Sequence, residues 1–213
     1  MVHLIRNKIF SSNTYLLINE DEKQCLIIDP GLDELTIDCQ IKELNVTPVG
    51  ILCTHGHFDH IGGVSYFKEK YSIPFYLHET DLKIAQSANF FLKIAGINHK
   101  IKTPKPDFFF KGEFETIKIC NFNLEIYNFS GHSNGSCVIK FMNNLFSGDI
   151  IYKKNLGFNN FPGEDRIQLR ESLIKIFKTF PDDSMVYPGH GGFENLGAIK
   201  KNNSELINFL YNK

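Results

Sequence analysis

The chain has 213 residues, 42% of them hydrophobic and 22% charged, with a formal net charge of −1. That balance supports a buried core of ordinary size without cross-links. It leaves no general basic field to hold nucleic acid or an anionic membrane surface.

Residues 2–10 and 14–18 are short apolar stretches split by Ser11-Ser12-Asn13, and they read as a hairpin. Gln24 to Asp29 is a third strand, closed by Asp29-Pro30-Gly31, a strong turn signal. From Asp33 to Leu44 the period changes: Ile37, Ile41 and Leu44 share a helical face, with Asp33 placed to cap the start. Val49 to Cys53 is a continuous apolar run, as expected of a strand buried on both faces. A helix follows over 61–71, a strand over Ile73–Leu77, and a longer helix over Thr80–Ala95, stopped by Gly96. His99–Pro106 carries lysines and prolines without a pattern and reads as a solvated connector, with a basic lip over a site as the alternative. Alternation around Leu124 and Ile139 marks strands. Arg166–Phe180 is a helix ended by Pro181, and Ser184–Tyr187 is a last strand. A closing helical turn uses Leu206, Ile207 and Leu210. The expectation is one domain over residues 1–213, with two sheets face to face and helices outside.

The five cysteines are odd in number and widely spaced, without C-x-x-C. This argues against a disulfide framework and against a thiolate zinc site. The N-terminal residues have no apolar core for a signal peptide and no run reaches the length of a membrane span, so a cytoplasmic location is expected by default.

One stretch concentrates metal ligands: Thr54-His55-Gly56-His57-Phe58-Asp59-His60. His55 and His57 sit two apart and project to one side of an extended chain, so they can bind one ion together. Asp59 and His60 point elsewhere and suit a second ion. Asp149 is the carboxylate available to bridge, and His132 and His190 fill one position on each ion. The total is five histidines and two aspartates for two divalent ions. Zinc is the first choice, with iron and manganese equally suited to nitrogen and oxygen donors. Asp29 reads first as a turn former and alternatively as a carboxylate that orients a ligand histidine. His3, His78 and His99 have no motif and read as bystanders, and Ser133 and Ser136 read as turn serines.

In this order, Thr54–His60, Gly131-His132, Gly148-Asp149 and Pro188-Gly189-His190 resemble the metallo-β-lactamase superfamily over almost the whole chain. The resemblance implies an α/β fold, the four-layer αββα sandwich, with a metal site at one edge of the two sheets. It implies His55, His57 and His132 on one ion, Asp59, His60 and His190 on the other, and Asp149 between them. Aspartate at 149, the segment Phe161-Pro162-Gly163-Glu164-Asp165 and the ending Gly189-His190-Gly191-Gly192 look like the small glyoxalase II-like branch.

The implied activity is hydrolysis of a thioester or related acyl compound, a small-molecule substrate, by a metal-bridged hydroxide that Asp59 helps to aim. The alternatives are a mononuclear iron persulfide dioxygenase and a non-catalytic metal-binding scaffold. Larger members of the branch hold glutathione with a C-terminal helical domain, whereas 23 residues follow His190 here. Relatives also carry a basic residue where this chain has Phe158. Glutathione thioesters are therefore expected to be weak substrates, through a high KM. The oligomeric state is left open.

Overall fold

The computed structural model describes residues 1–157 and 163–211. The Phe158 expectation lies outside them. The described residues form two six-stranded sheets. The first, in spatial order, is β1 (Val2–Arg6), β2 (Asn13–Asn19), β3 (Gln24–Ile28), β4 (Thr47–Leu52), β5 (Phe75–His78) and β6 (Phe108–Phe110). The second runs from β7 (Phe114–Ile119) through β8 (Phe122–Asn128), β9 (Cys137–Phe141), β10 (Asn144–Gly148) and β11 (Met185–Pro188) to β12 (Glu194–Asn195).

Strict alternation decides which face each side chain covers. Tyr15, Leu17, Leu26, Ile28 and Leu52 meet Phe122, Leu124, Ile126, Ile139 and Phe146 between the sheets. Their neighbours Leu16, Ile18, Cys25, Ile27, Ile51 and Cys53 point outward instead. There they pack under α1 (Glu34–Glu43), α3 (Val64–Tyr71) and α5 (Ala88–Ile94), through Ile37, Ile41, Val64, Phe67 and Leu92. On the other side Val138, Leu145 and Val186 pack under α6 (Arg166–Thr179), α7 (Leu196–Asn202) and α8 (Ser204–Tyr211). The layers are helix, sheet, sheet, helix, as expected. Cys53 is a core residue.

Several boundaries differ from the sequence reading, each for a local reason. The helix over 61–71 is two pieces, α2 (Phe58–Ile61) and α3, split at Gly62-Gly63. The Gly63 amide donates to the Pro30 carbonyl at 2.9 Å, and a Cβ on Gly62 would lie 2.3 Å from the Leu32 side chain. The helix over 80–95 is a 3₁₀ turn (Glu79–Asp81), α4 (Leu82–Gln86) and α5, with the break at Ser87. The Ser87 hydroxyl donates back to the Lys83 carbonyl at 2.9 Å, a bond that competes with regular helix. Asp33 sits at the start of α1, but its carboxylate accepts from the Thr36 hydroxyl at 2.8 Å and makes no cap bond to the backbone. The 99–106 connector lies along α3 and α5 rather than over the site: the Ser65 hydroxyl and Lys68 ammonium donate to its Lys102 and Lys105 carbonyls.

Asp38 joins two of the outer helices. Its carboxylate accepts from Lys42 at 2.8 Å on its own helix, and from Lys70 at 2.7 Å and Tyr71 at 2.6 Å at the end of α3. Burial pushes the Asp38 carboxyl upward, yet these three donors outweigh it and bring the pKa down to about 2 from 3.8. A folded pKa below the unfolded one stabilises the fold above the unfolded value, and that stability is lost as pH falls through the folded one. Asp38→Asn is therefore expected to cost about 1–2 kcal/mol at pH 7. In urea unfolding, the gap from the unmodified chain should close between about pH 4 and pH 2.

Candidate metal centre

The parallel pairs β3/β4 and β10/β11 open their C-terminal ends on one edge of the sandwich. Asp29 follows β3, Thr54-His55 follow β4, Asp149 follows β10 and Gly189-His190 follow β11. His132 comes from the turn before β9, and Asp59 and His60 from α2. The two sheets are clasped at this edge. Asn13 donates its backbone amide to the Gly189 carbonyl at 2.7 Å, and the Asn13 side chain and Tyr15 hydroxyl donate to the Pro188 carbonyl at 2.9 and 2.6 Å. The Ser12 hydroxyl holds the Asp59 carbonyl at 2.8 Å.

All seven residues singled out from the sequence converge here. The rings of His55, His57 and His132 lie 4.7–4.8 Å apart, nearly perpendicular to one another. His57 Nδ1 and His132 Nε2 are 2.9 Å apart. On the other side, His190 Nε2 lies 3.2 Å from Asp59 Oδ2, and His60 Nε2 lies 3.5 Å from the same oxygen. Asp149 stands between, its Oδ1 3.5 Å from His60 Nε2 and its Oδ2 3.6 Å from His132 Nε2 and 3.4 Å from His190 Nε2. Donor atoms about 2.1 Å from a tetrahedral ion are about 3.4 Å from one another, so these spacings suit a common cation. His55 Nε2, His60 Nε2 and Asp149 Oδ1 are buried without a hydrogen-bond partner, an arrangement a cation would satisfy.

The far side of each ring fixes which nitrogen faces inward. His60 Nδ1 meets Asp29 Oδ2 at 3.1 Å, and His55 Nδ1 meets the Thr54 hydroxyl at 3.1 Å. That hydroxyl itself donates to Asp29 at 2.7 Å. His132 Nδ1 lies 3.0 Å from the Gly157 carbonyl and 3.3 Å from Glu164. Asp29 is near enough to His55 and His60 to count as a donor with them. Both its oxygens are already taken by the Thr54 amide and hydroxyl and by His60, so it orients the ring rather than joining the inner set. It is a turn former as well, with φ of +52°.

Electrostatics sets His55 and His57 apart from the other three histidines; at His132 burial is outweighed by Glu164 and then Asp149, which hold it above its usual value. Burial holds the His55 pKa well below the ordinary histidine range, and burial with His132 brings His57 down to about 4, so both lone pairs are free at neutral pH. Burial would lower His60 and His190 too, but carboxylates outweigh it: Asp59 and Asp149 hold His60 well above its usual value, and Asp149 with Asp59 lifts His190 to about 10. Burial pushes Asp149 up, and His60 and His190 more than reverse it, holding it well below the carboxylate range. The buried carboxylates thus call for positive charge, which protons or metal ions can supply in competition.

Two residues escaped the sequence reading. Asp81, fully buried, accepts from the Gly56 amide, the Gly135 amide and the Ser133 hydroxyl, all at 2.7 Å. It ties the His55–His57 loop to the turn that carries His132. In sequence it is only an acid near a helix start. Tyr152, three residues past Asp149, is hydrogen-bonded to that carboxylate. Ser133 and Ser136 are turn serines, bonded to each other at 2.7 Å. His3 and His78 bond to Gln40 and to Thr80 and Gly112, away from the centre. A Cβ on Gly189 would lie 2.0 Å from Asp149 Oδ1, so only glycine fits there. The donors open into a cavity of about 360 Å³ whose other walls are Phe10, Phe58, Phe91 and Tyr152.

The metallo-beta-lactamase superfamily model matches residues 8–190. The chain belongs to this superfamily. It is 37% identical over 184 residues to the probable metallo-hydrolase YqgX of Bacillus subtilis, covering 84% of this chain and 85% of that one. It is 31% identical over 195 residues to the hydroxyacylglutathione hydrolase GloC of Haemophilus influenzae, covering 89% and 91%. Among solved structures it is similar to the BLEG-1 B3 metallo-beta-lactamase, with a TM-score of 0.89, 31% identity and 97% and 99% of the chains covered. It is also similar to TTHA1623 in a di-iron-bound form, with a TM-score of 0.84, 27% identity and 95% and 98% covered. Superfamily membership and the gathered histidines and aspartates imply divalent metal ions and a hydrolase. Among the described residues, no helix is long and apolar enough to cross a membrane.

If Asp29 orients His60, Asp29→Asn should weaken divalent-ion binding roughly 10- to 100-fold. Competition with a chromophoric chelator would measure it, with circular dichroism checking that the fold is kept.

Proposed function

We propose that the chain is a dinuclear metallohydrolase acting on thioesters. In this reading His55, His57 and His132 hold one ion, Asp59, His60 and His190 hold the other, and Asp149 bridges. The observation that carries it is the placement of Asp149, whose two oxygens reach His60 on one side and both His132 and His190 on the other. Bound there, divalent ions supply a nucleophilic water near neutral pH and polarise an acyl carbonyl. Asp59 accepts a hydrogen bond from the attacking water and aims it. Asp29, Thr54 and Glu164 keep the histidine rings in place from behind.

The thioester preference follows from proton supply. With the histidines committed to ions, Tyr152 is the remaining proton carrier lining the cavity among the described residues. Burial, then Asp149, holds its pKa far above the usual tyrosine value, which makes it a poor acid. A thiolate leaves without needing a proton, whereas the nitrogen of an amide or lactam needs one. Similarity to a protein described as a B3 metallo-beta-lactamase makes β-lactams the competing substrate class. Zinc is the proposed metal, and the di-iron form of TTHA1623 makes iron the alternative.

The test is a hydrolysis screen of thioesters, lactones, phosphoesters and β-lactams on protein of measured metal content, with oxygen consumption followed in parallel. Two ions per chain at saturation and thioester turnover are expected. Asp149→Ala should lose one ion and cut turnover by about a thousandfold or more, because two cations then face each other with less negative charge between them. His99→Ala should stay within about twofold, since His99 lies outside the centre. Equal losses in the two variants with unchanged metal content would sink the assignment. Dominant β-lactam turnover would move the substrate class.

A further inference from the structure

We infer that the outer face of α4 and α5, with the connector that follows them, docks on an anionic lipid bilayer, whatever the reaction at the metal centre. The chain as a whole carries −1, but its charge is unevenly placed. Residues 82–106 hold Lys83, Lys93, Lys100, Lys102 and Lys105, with neither aspartate nor glutamate among them. All five lysines are exposed. Lys102 is paired with Glu69, and the other four have no ionic partner among the described residues.

The helical path runs on through Ser87. Its amide donates to the Lys83 carbonyl at 3.1 Å, and the Phe91 amide donates to the Ser87 carbonyl at 3.2 Å. Lys83, Phe90 and Ile94 therefore fall on one face at helical spacing. The opposite face, Ala85, Ala88 and Leu92, is buried in the core. The outward face of a surface helix is ordinarily polar. Here Phe90 and Ile94 stand one turn apart, 62% and 61% exposed, with Lys93 between them in sequence. Lys93 also lines an open cleft of about 480 Å³, together with His99 and Lys100 from the connector. The connector is held to α5 by a pair of hydrogen bonds: the Asn89 side chain donates to the Ile101 carbonyl and accepts from the Ile101 amide, both at 3.0 Å. The lysines and the two apolar side chains thus form one continuous surface.

Apolar side chains standing out from a helix among lysines match a segment that lies in the headgroup region of a bilayer. The apolar groups enter the acyl boundary while the ammonium groups meet lipid phosphates. A protein partner fits less well, because protein contacts favour arginine and deplete lysine. Residues 82–106 contain five lysines and no arginine. The same face adjoins the metal centre: the Phe90 ring lies 5.7 Å from that of Phe91, which lines the cavity over the donors. Docking through Phe90 and Ile94 therefore sets the apolar wall of that cavity beside the membrane, and a substrate dissolved in lipid has a path to the donors along the phenylalanines.

The experiment uses the full, metal-loaded chain and sedimentation with sucrose-loaded vesicles. Vesicles of phosphatidylcholine with about 30 mol% phosphatidylglycerol should bind about tenfold more tightly, or better, than phosphatidylcholine alone, since each lysine near an anionic surface is worth about fivefold. Binding should weaken as salt is raised. Lys83→Gln/Lys93→Gln/Lys100→Gln should lose about tenfold or more. Phe90→Ser/Ile94→Ser should lose about fivefold or more, through apolar area no longer buried in lipid. Lys175→Gln/Lys178→Gln/Lys201→Gln makes the same charge change on the α6–α7 side and should stay within about twofold. The substituted side chains are all exposed, and circular dichroism checks that the fold is kept. Equal affinity for the two kinds of vesicle, or equal losses in the two triple variants, would overturn the docking surface. Binding unchanged in Phe90→Ser/Ile94→Ser would overturn it too, leaving only adsorption of charge. A chain that ignores vesicles but binds polyglutamate through the same lysines would assign the face to an acidic protein. One that ignores vesicles and dimerises through Phe90 and Ile94 in analytical ultracentrifugation would assign it to a second copy. Either result rejects the bilayer.

Discussion

The edge of this sandwich depends on buried charge that must be balanced. Asp29, Asp59 and Asp149 are almost fully buried within one small volume, beside His55 and His60, which have no exposure at all. Carboxylates cost too much to bury unpaired, so the site cannot be tuned one residue at a time. Hydrogen bonds from Thr54 and His60 answer Asp29. Asp59 and Asp149 are answered by the histidines, two of which are driven toward protonation by the same carboxylates. A cation at this place relieves both halves together: it neutralises the carboxylates and removes the need for buried imidazolium.

Such a balance holds only if the groups stay where they are, and the architecture supplies that. Four of the contributing segments leave the ends of β3, β4, β10 and β11, whose middles are locked between three apolar layers. The remaining freedom is taken up by buried polar residues one step back. Asp81 joins the loop after β4 to the turn before β9, and Asn13 joins the first sheet to the end of β11. These contacts bridge elements far apart in sequence, so the centre is a product of the completed sandwich, not of any local segment.

That distinction also explains what the sequence disclosed. The seven inner residues were legible because metal ligation demands particular side chains at short, recognisable spacings, with glycine beside them where atoms crowd. The strands were legible because burial on both faces gives apolar runs, and α6 because Pro181 ends it; the cap that Asp165 makes by accepting from the Ile167 and Gln168 amides emerged only in the structure. Helix breaks at Gly62 and Ser87 were not, since each depends on a carbonyl or side chain that only tertiary contact or a competing hydroxyl bond brings to bear. Asp81 was hidden for the same reason: its three partners lie 25 to 54 residues away. Asp29 was readable as a turn, and its φ bears that out, but its hold on His60 spans 31 residues.

The division of labour between frame and loops bears on specificity. The donors sit on strand ends and buried turns, whereas the walls of the cavity come from less constrained pieces. Phe10 belongs to the β1–β2 connection, where it and Ser11 both take positive φ, 62° and 53°, a conformation that non-glycine residues adopt at some cost. It is held by an edge-on contact with Phe58, ring centroids 5.0 Å apart. Phe91 rides on the short helix α5, and Tyr152 on the loop pinned by Asn203. Changing Phe10 or Phe91 leaves the charge balance of the centre untouched, whereas Tyr152 is tied to it through its hydrogen bond to Asp149. One metal-holding frame can thus serve different small molecules, with the aromatic walls Phe10, Phe58 and Phe91 free to vary around it.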